Sequence, residues 1–180
     1  MNSLVNFLKK ILLVVELFFV ILFIHRDKVL FFAVVALDQF TKAFVMKSMV
    51  PGESIPLVQD FFHLTYVLNP GAAFGILSNQ RLFLMVTGAV LILATAYFYP
   101  LLKKSDGFLR FGTTAILSGA VANLIDRVQT GYVVDFFDFR IWPVFNVADI
   151  AIVAGMGLMI YSILFRLDED KVSDVESVRQ

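Results

Sequence analysis

Residues 82–102 run for 21 positions without a charged side chain. A helix of that length rises roughly 30 Å, the thickness of a bilayer's hydrocarbon core, so the stretch predicts a membrane span. Three more predominantly apolar stretches predict spans although charged residues occur in or at the end of them: residues 29–48, from about 111 into Asp126, and from about 146 to 165. With 59% hydrophobic and 17% charged residues, a chain of 180 has too little polar surface to cover a water-soluble domain. It reads as one integral membrane domain. A net charge of zero gives no electrostatic case for nucleic acid, and the lack of Cys excludes disulfides, thiol catalysis and thiolate metal sites.

Between the third and fourth runs the character changes. The stretch GAVANLIDRVQTGYVVDFFDFRIWPVFNVAD, residues 119–149, holds Asp126, Arg127, Asp135, Asp138, Arg140 and Asp149. Acids beside hydrocarbon are expensive and need a partner or a purpose. Asp126 stands next to Arg127, which makes a salt bridge with it the plain expectation. In the first span Asp38 and Lys42 lie four apart with the acid N-terminal, the favoured order for a helical pair. They read either as a self-neutralised pair near the membrane surface or as a pair serving a site.

The remaining segments set orientation. Lys9 and Lys10 precede an apolar run at residues 11–24, too short to cross a bilayer and lacking a small-residue cleavage site. Residues 1–28 are expected to form a retained N-terminal extension, interfacial or continuous with the first span; a fifth span is the alternative. Residues 49–81 form a long connection. Within it, residues 54–68 are rich in β-branched and aromatic side chains with rough alternation, which predicts short surface strands. The small-residue loop Asn69-Pro70-Gly71-Ala72-Ala73-Phe74-Gly75 follows. In the third span Gly112 and Gly119 share a face, continued by Asn123 and Arg127, and permit close helix packing. Residues 167–180 are a charged tail. The basic residues of 25–28, 103–110 and 166–180 fall on one side of a four-span topology. The positive-inside rule makes that side cytoplasmic, with both termini there and the acid-rich connection facing outward.

What can such acids do? His25 and His63 fall on opposite sides, and no HExxH pattern occurs. A Ser118–Lys42 dyad would need a hydroxyl buried in an apolar helix, where it ordinarily bonds its own backbone. Clustered carboxylates holding a divalent metal is a minor alternative. Two aspartates sharing one proton, one acting as base on water and the other as acid toward a carbonyl, need no cofactor. Asp38, Asp126, Asp135, Asp138 and Asp149 compete for that role. Asp149 stands at membrane depth at the start of the fourth span; physical reasoning alone leaves its partner open.

Five motifs narrow the choice. They are Leu37-Asp38-Gln39-Phe40-Thr41-Lys42, Asn69-Pro70-Gly71-Ala72-Ala73-Phe74, Gly119-Ala120-Val121-Ala122-Asn123-Leu124-Ile125-Asp126-Arg127, Gly131-Tyr132-Val133-Val134-Asp135-Phe136 and Phe145-Asn146-Val147-Ala148-Asp149. In this order, over residues 29–166, they closely resemble lipoprotein signal peptidase, or signal peptidase II, the bacterial membrane aspartic protease. The family commonly has Gly where Ala122 stands. The resemblance implies an all-α membrane protein of four transmembrane helices with a small periplasmic β-cradle and a short surface helix. It implies Asp135 and Asp149 as the catalytic dyad, with Asn69, Gly71, Asn123, Arg127 and Asn146 lining the site or holding substrate. Asp38 and Lys42 fall in as support, and Asp126 at a non-catalytic motif position. No metal and no cofactor are implied. The implied substrate is a prolipoprotein whose Cys already carries diacylglycerol, cut before that Cys in the bacterial inner membrane. Implied partners are membrane lipids and cyclic peptide antibiotic inhibitors, and the expected state is a monomer. A small transporter would show an internal repeat, absent between residues 29–102 and 111–166; a structural adaptor would leave the acids unexplained. Asn146 is a favoured N-cap, which would set Asp149 in the first turn of the fourth helix, where the helix dipole favours its charge. Asp135, in an extended stretch, lacks that aid, so Asp149 is expected to be the ionised member and Asp135 to hold the proton.

Overall fold

The computed structural model describes residues 25–71, 80–104 and 106–165. Four helices in it are long and apolar enough to cross a membrane. They are α1 (Arg26–Ser48), α2 (Arg81–Phe98, continued by a 3-10 turn over Tyr99–Lys104), α3 (Gly107–Gln129) and α4 (Val147–Phe165). Three strands, β1 (Ser54–Val58), β2 (Phe62–Asn69) and β3 (Val133–Asp138), form an antiparallel sheet in the order β1-β2-β3. Helix α1 starts three residues earlier than the apolar run suggested, and α3 extends the expected span at both ends. The expected extension over residues 1–24, the tail beyond residue 165 and the loop residues 72–79 lie outside the described residues. Among the described residues no short surface helix occurs.

The spans are apolar outward and polar inward. On α1, Phe32, Phe40 and Phe44 are exposed, while Asp38, Lys42 and Val45 are buried. Hydroxyls that point along the helices bond their own backbones, as with Thr87 to the Phe83 carbonyl and Thr95 to the Leu91 carbonyl, both at 2.8 Å. Helices α3 and α4 cross at glycines. A Cβ on Gly112 would lie 2.6 Å from the Gly155 carbonyl oxygen, and one on Gly119 only 2.4 Å from that of Ala148. This close crossing brings the last turns of α3 against the first turn of α4. At the other end of the bundle Arg110 pairs with Asp27 at 3.0 Å, joining the starts of α1 and α3.

The sheet sits where α1 ends. Val45 and Met49 pack with Tyr66, Val134 and Phe136 in the largest buried apolar cluster of the described residues. In β3 every residue but Phe137 is buried, so this strand is wedged between the sheet and the helix ends. Residues beyond it turn back, and Phe145 bonds Phe137 in both directions at 2.8 and 3.1 Å. That turn delivers Asn146 and the start of α4 beside Asp135.

Candidate active site

A buried ion cluster lies under the sheet. Lys42 is 1% exposed. Its ammonium reaches Asp38 at 2.7 Å, Asp126 at 2.8 Å and the Asn123 side-chain oxygen at 2.9 Å. The sequence pair Asp38–Lys42 therefore exists, but as part of a larger set. The expectation that Asp126 bridges its neighbour Arg127 is corrected here: adjacent residues on a helix point about 100° apart, and Asp126 faces Lys42 instead. Asp126 also accepts from Gln39 at 2.7 Å and from the Val134 backbone at 3.3 Å, fastening β3 to α3. Asp38 takes the Ala148 N–H at 2.8 Å, filling one of the open donors at the α4 N-terminus.

Asparagines join that cluster to two further acids. Asn123 donates to Asp149 at 2.9 Å. Asn146, fully buried, donates to Asp135 at 2.7 Å and to the Asn123 oxygen at 3.2 Å. Asn69 donates to the other Asp135 oxygen at 2.9 Å and accepts from Gly71 N–H at 2.9 Å. Arg127 donates to the Gly71 carbonyl at 2.9 Å and to the Asn123 carbonyl at 3.4 Å. The seven residues expected beside Asp135 and Asp149, six of them polar and Gly71 through its backbone, thus converge on one polar centre with them. Ser118 is not among them: its hydroxyl bonds the Ala115 carbonyl at 2.8 Å. Asp138 also stands apart, held by Thr65 at 2.8 Å and by the Arg140 backbone and guanidinium at 2.8 and 3.0 Å.

Asp135 and Asp149 open onto a common cleft of about 590 Å³. Asn69, Asn123 and Arg127 line it, and so does Trp142, which residue-by-residue reasoning passed over. Its signal was a lone Trp, followed by Pro143, inside the acid-rich connection. Gln39 was likewise seen only as a polar residue in a span. On α4 the lining continues from Asp149 through Ile152, Val153 and Met156. These recur at helical spacing, so the cleft runs from the acids down one apolar stripe.

The two acids have different surroundings. Asp135 is 2% exposed, and burial pushes its carboxyl up to about 7; the Asn69 and Asn146 donors oppose the shift and the Asp149 charge adds to it. Asp149 occupies the third position of α4 and is partly exposed. Asp138 is pushed up by burial but held below the ordinary carboxylate range by its Arg140 and Thr65 bonds.

Fold and site together define a polytopic membrane enzyme with a polar reaction centre where its spans meet a surface sheet. The chain belongs to the signal peptidase II family: the family profile described as "Signal peptidase (SPase) II" matches residues 30–165. It is 48% identical to the lipoprotein signal peptidase of Halothermothrix orenii over 142 residues, 78% of this chain and 94% of that one. It is 47% identical to that of Moorella thermoacetica, over 76% and 91% of the two chains. A bacterial membrane enzyme solved by the in meso method superposes with a TM-score of 0.73 at 34% identity, covering 79% of this chain and 89% of that one. The chain is accordingly a membrane protease of lipoprotein processing, and the family's task is removal of signal peptides from prolipoproteins.

Proposed function

We propose that Asp135 and Asp149 are an aspartic dyad that cuts prolipoproteins immediately before a diacylglyceryl-modified Cys. The observation that carries this reading is Asn146, which bonds Asp135 through its side chain and Asp149 through its backbone N–H at 3.1 Å while both acids line one cleft. Charge supports it. Among the described residues Asp38, Asp126, Asp135 and Asp149 face Lys42 and Arg127 as their cations, so full ionisation would leave two negative charges without a described partner in a largely buried centre. One retained proton relieves half of that excess.

In the first step the ionised carboxylate takes a proton from water while the protonated one gives its proton to the scissile carbonyl oxygen. The resulting gem-diol returns a proton, through the dyad, to the departing nitrogen. The C–N bond breaks and leaves a signal-peptide carboxylate and the amine of the lipidated Cys. Asn69, Gly71, Asn123, Arg127 and Asn146 hold the peptide and the acids, with Asp38 and Lys42 in support. The stripe from Asp149 through Ile152 to Met156 suits a substrate tethered by acyl chains, since Val153 at 64% and Met156 at 45% exposure face the surrounding lipid. Cyclic peptide antibiotics would compete for the same cleft. Basic residues at 25–28 and 103–110 favour cytoplasmic termini and a site facing the periplasm from the inner membrane of a bacterium.

The test is cleavage of a synthetic lipopeptide bearing diacylglyceryl-Cys, followed by mass spectrometry of the product N-terminus. Asp135→Asn and Asp149→Asn are each expected to lower turnover by about 10³-fold or more while remaining inserted, because neither remaining carboxyl can serve as both base and acid. Full activity in either variant would overturn the reading.

A further inference from the structure

Among the described residues every hydrogen bond to the two acids comes from an amide nitrogen, and each of the three asparagines that supply them is oriented by a group that can only donate. Gly71 N–H occupies the Asn69 oxygen at 2.9 Å, so Asn69 turns its nitrogen to Asp135. Asp149 N–H occupies the Asn146 oxygen at 3.0 Å, so Asn146 turns its nitrogen to Asp135 and Asn123. The Lys42 ammonium at 2.9 Å and the Asn146 amide at 3.2 Å occupy the Asn123 oxygen, so Asn123 turns its nitrogen to Asp149. An ammonium has three protons and no acceptor. All three are spoken for, by Asp38, Asp126 and Asn123. Two of the three orienting groups are backbone. Asn123 alone is held by side chains, and Lys42 is the nearer of them.

We propose that Lys42 is a positioning residue for the proposed dyad: as the nearer of the two donors on the Asn123 oxygen, it keeps the Asn123 nitrogen on Asp149 and so holds the Asp149 carboxyl in its place beside Asp135. This rests on the assignment of the two acids above. Asp149 receives donors on both oxygens, from Asn123 at 2.9 Å and from the Asn146 backbone at 3.1 Å, which fixes the plane of its carboxyl. A reversed Asn123 would put an oxygen against it and release that hold. The charged groups facing this centre among the described residues are Asp38 and Lys42 from α1, Asp126 and Arg127 from α3, Asp135 from β3 and Asp149 itself.

Removing Lys42 alone would strand two buried carboxylates, so the test uses charge-balanced pairs. Lys42→Met with Asp38→Asn keeps the net charge of the cluster, and Asp38→Asn retains an oxygen for Ala148 N–H. Lys42→Gln with Asp38→Asn does the same and restores one N–H donor toward Asn123. Turnover of the lipopeptide is followed against pH in both pairs, with Asp135→Asn and Asp149→Asn in parallel. The Met pair is expected to lose about tenfold in kcat with KM within about twofold, and its acid limb is expected to move up by about one pH unit, the size of a lost carboxylate hydrogen bond. The Gln pair is expected to bring the acid limb back toward that of the unmodified enzyme. An unchanged acid limb in the Met pair, or equal shifts in both pairs, would overturn the inference. So would a change in KM alone, or failure of both pairs to fold, since either gives Lys42 a purely structural part. Inactive Asp135→Asn and Asp149→Asn alongside any of those results would leave the dyad standing; activity in them would sink the dyad instead.

Discussion

Asn146 and Asp149 cap one another across the first turn of α4: the Asn146 oxygen accepts the Asp149 N–H at 3.0 Å, and an Asp149 oxygen accepts the Asn146 N–H at 3.1 Å. This is the reciprocal arrangement of a capping box, with an acid in the third position that is also one of the two acids of the cleft. Helix initiation and acid placement are one feature here. Asn146 adds the bond to Asp135, so a single side chain couples the helix start to β3.

That double duty can be separated. Asn146→Ser keeps an oxygen for the cap but has no nitrogen for Asp135. It is expected to unfold within about 1 kcal/mol of wild type yet lose about 100-fold or more in turnover, the range for a misplaced catalytic group. Asn146→Ala loses the cap as well and is expected to be less stable than Asn146→Ser by about 1 kcal/mol. Thermal unfolding in detergent, beside the lipopeptide assay, distinguishes the two losses. Equal turnover in Asn146→Ser and wild type would remove Asn146 from the site.

The Asp135 carboxyl, raised to about 7, links pH to stability with a definite sign. The folded chain holds a proton there that the unfolded chain releases near its ordinary value of 3.8. Its favourable contribution is therefore complete below about pH 4 and lost as pH rises through about 7. Relative to Asp135→Asn, which carries no titrating group, wild-type stability is expected to decline across that window by an amount on the order of a few kcal/mol. Paired melting curves from pH 4 to 8 check this; a gap that does not vary with pH would contradict it. Turnover should fall above about pH 7 for the same reason, as the dyad loses its proton.

Arg127 joins the end of β2, which carries Asn69, to α3 through the Gly71 carbonyl. Arg127→Ala is expected to lower kcat/KM by about 10-fold or more, since a charge-assisted hydrogen bond contributes about 1.5–3 kcal/mol. Arg127→Lys should recover only part, lacking the fork that reaches Gly71 and Asn123 together. Affinity and turnover both unchanged in Arg127→Ala would mean that the guanidinium serves only the membrane surface.

Helix contact offers a test away from the acids. Gly119→Ala puts a methyl 2.4 Å from the Ala148 carbonyl oxygen, beside the cap of α4, so α3 and α4 must separate. A destabilisation of about 1–3 kcal/mol and a clear loss of turnover are expected. Gly88→Ala and Gly157→Ala meet nothing within 4 Å and should be near neutral. Melting temperatures of the three variants decide the matter.

Much of the architecture is legible in the chain because its signals are local. Apolar runs mark the spans, alternation marks β1 and β2, and Asn146 before an apolar run marks the start of α4. The Asp38–Lys42 pair is visible because four residues make one helical turn. The wider cluster is not visible, because Lys42 meets Asn123 81 positions away and no spacing rule reaches that far. Asp126 misled for a related reason: sequence adjacency to Arg127 suggested a pair that helix geometry forbids. Choosing Asp135 over Asp138 needed the family resemblance. In the structure Asp135 lines the cleft, while Asp138 bonds Thr65 and Arg140 away from it.

The central claim is that two acids share one proton, carried by Asp135 while Asp149 is charged. Infrared difference spectra of enzyme with site-specific isotope labels on each carboxyl report this directly. At pH 6 a protonated C=O band that shifts with the Asp135 label and disappears as pH rises through about 7 is expected, together with a carboxylate band that shifts with the Asp149 label. A protonated band that follows the Asp149 label, or two ionised carboxylates at pH 6, would contradict it.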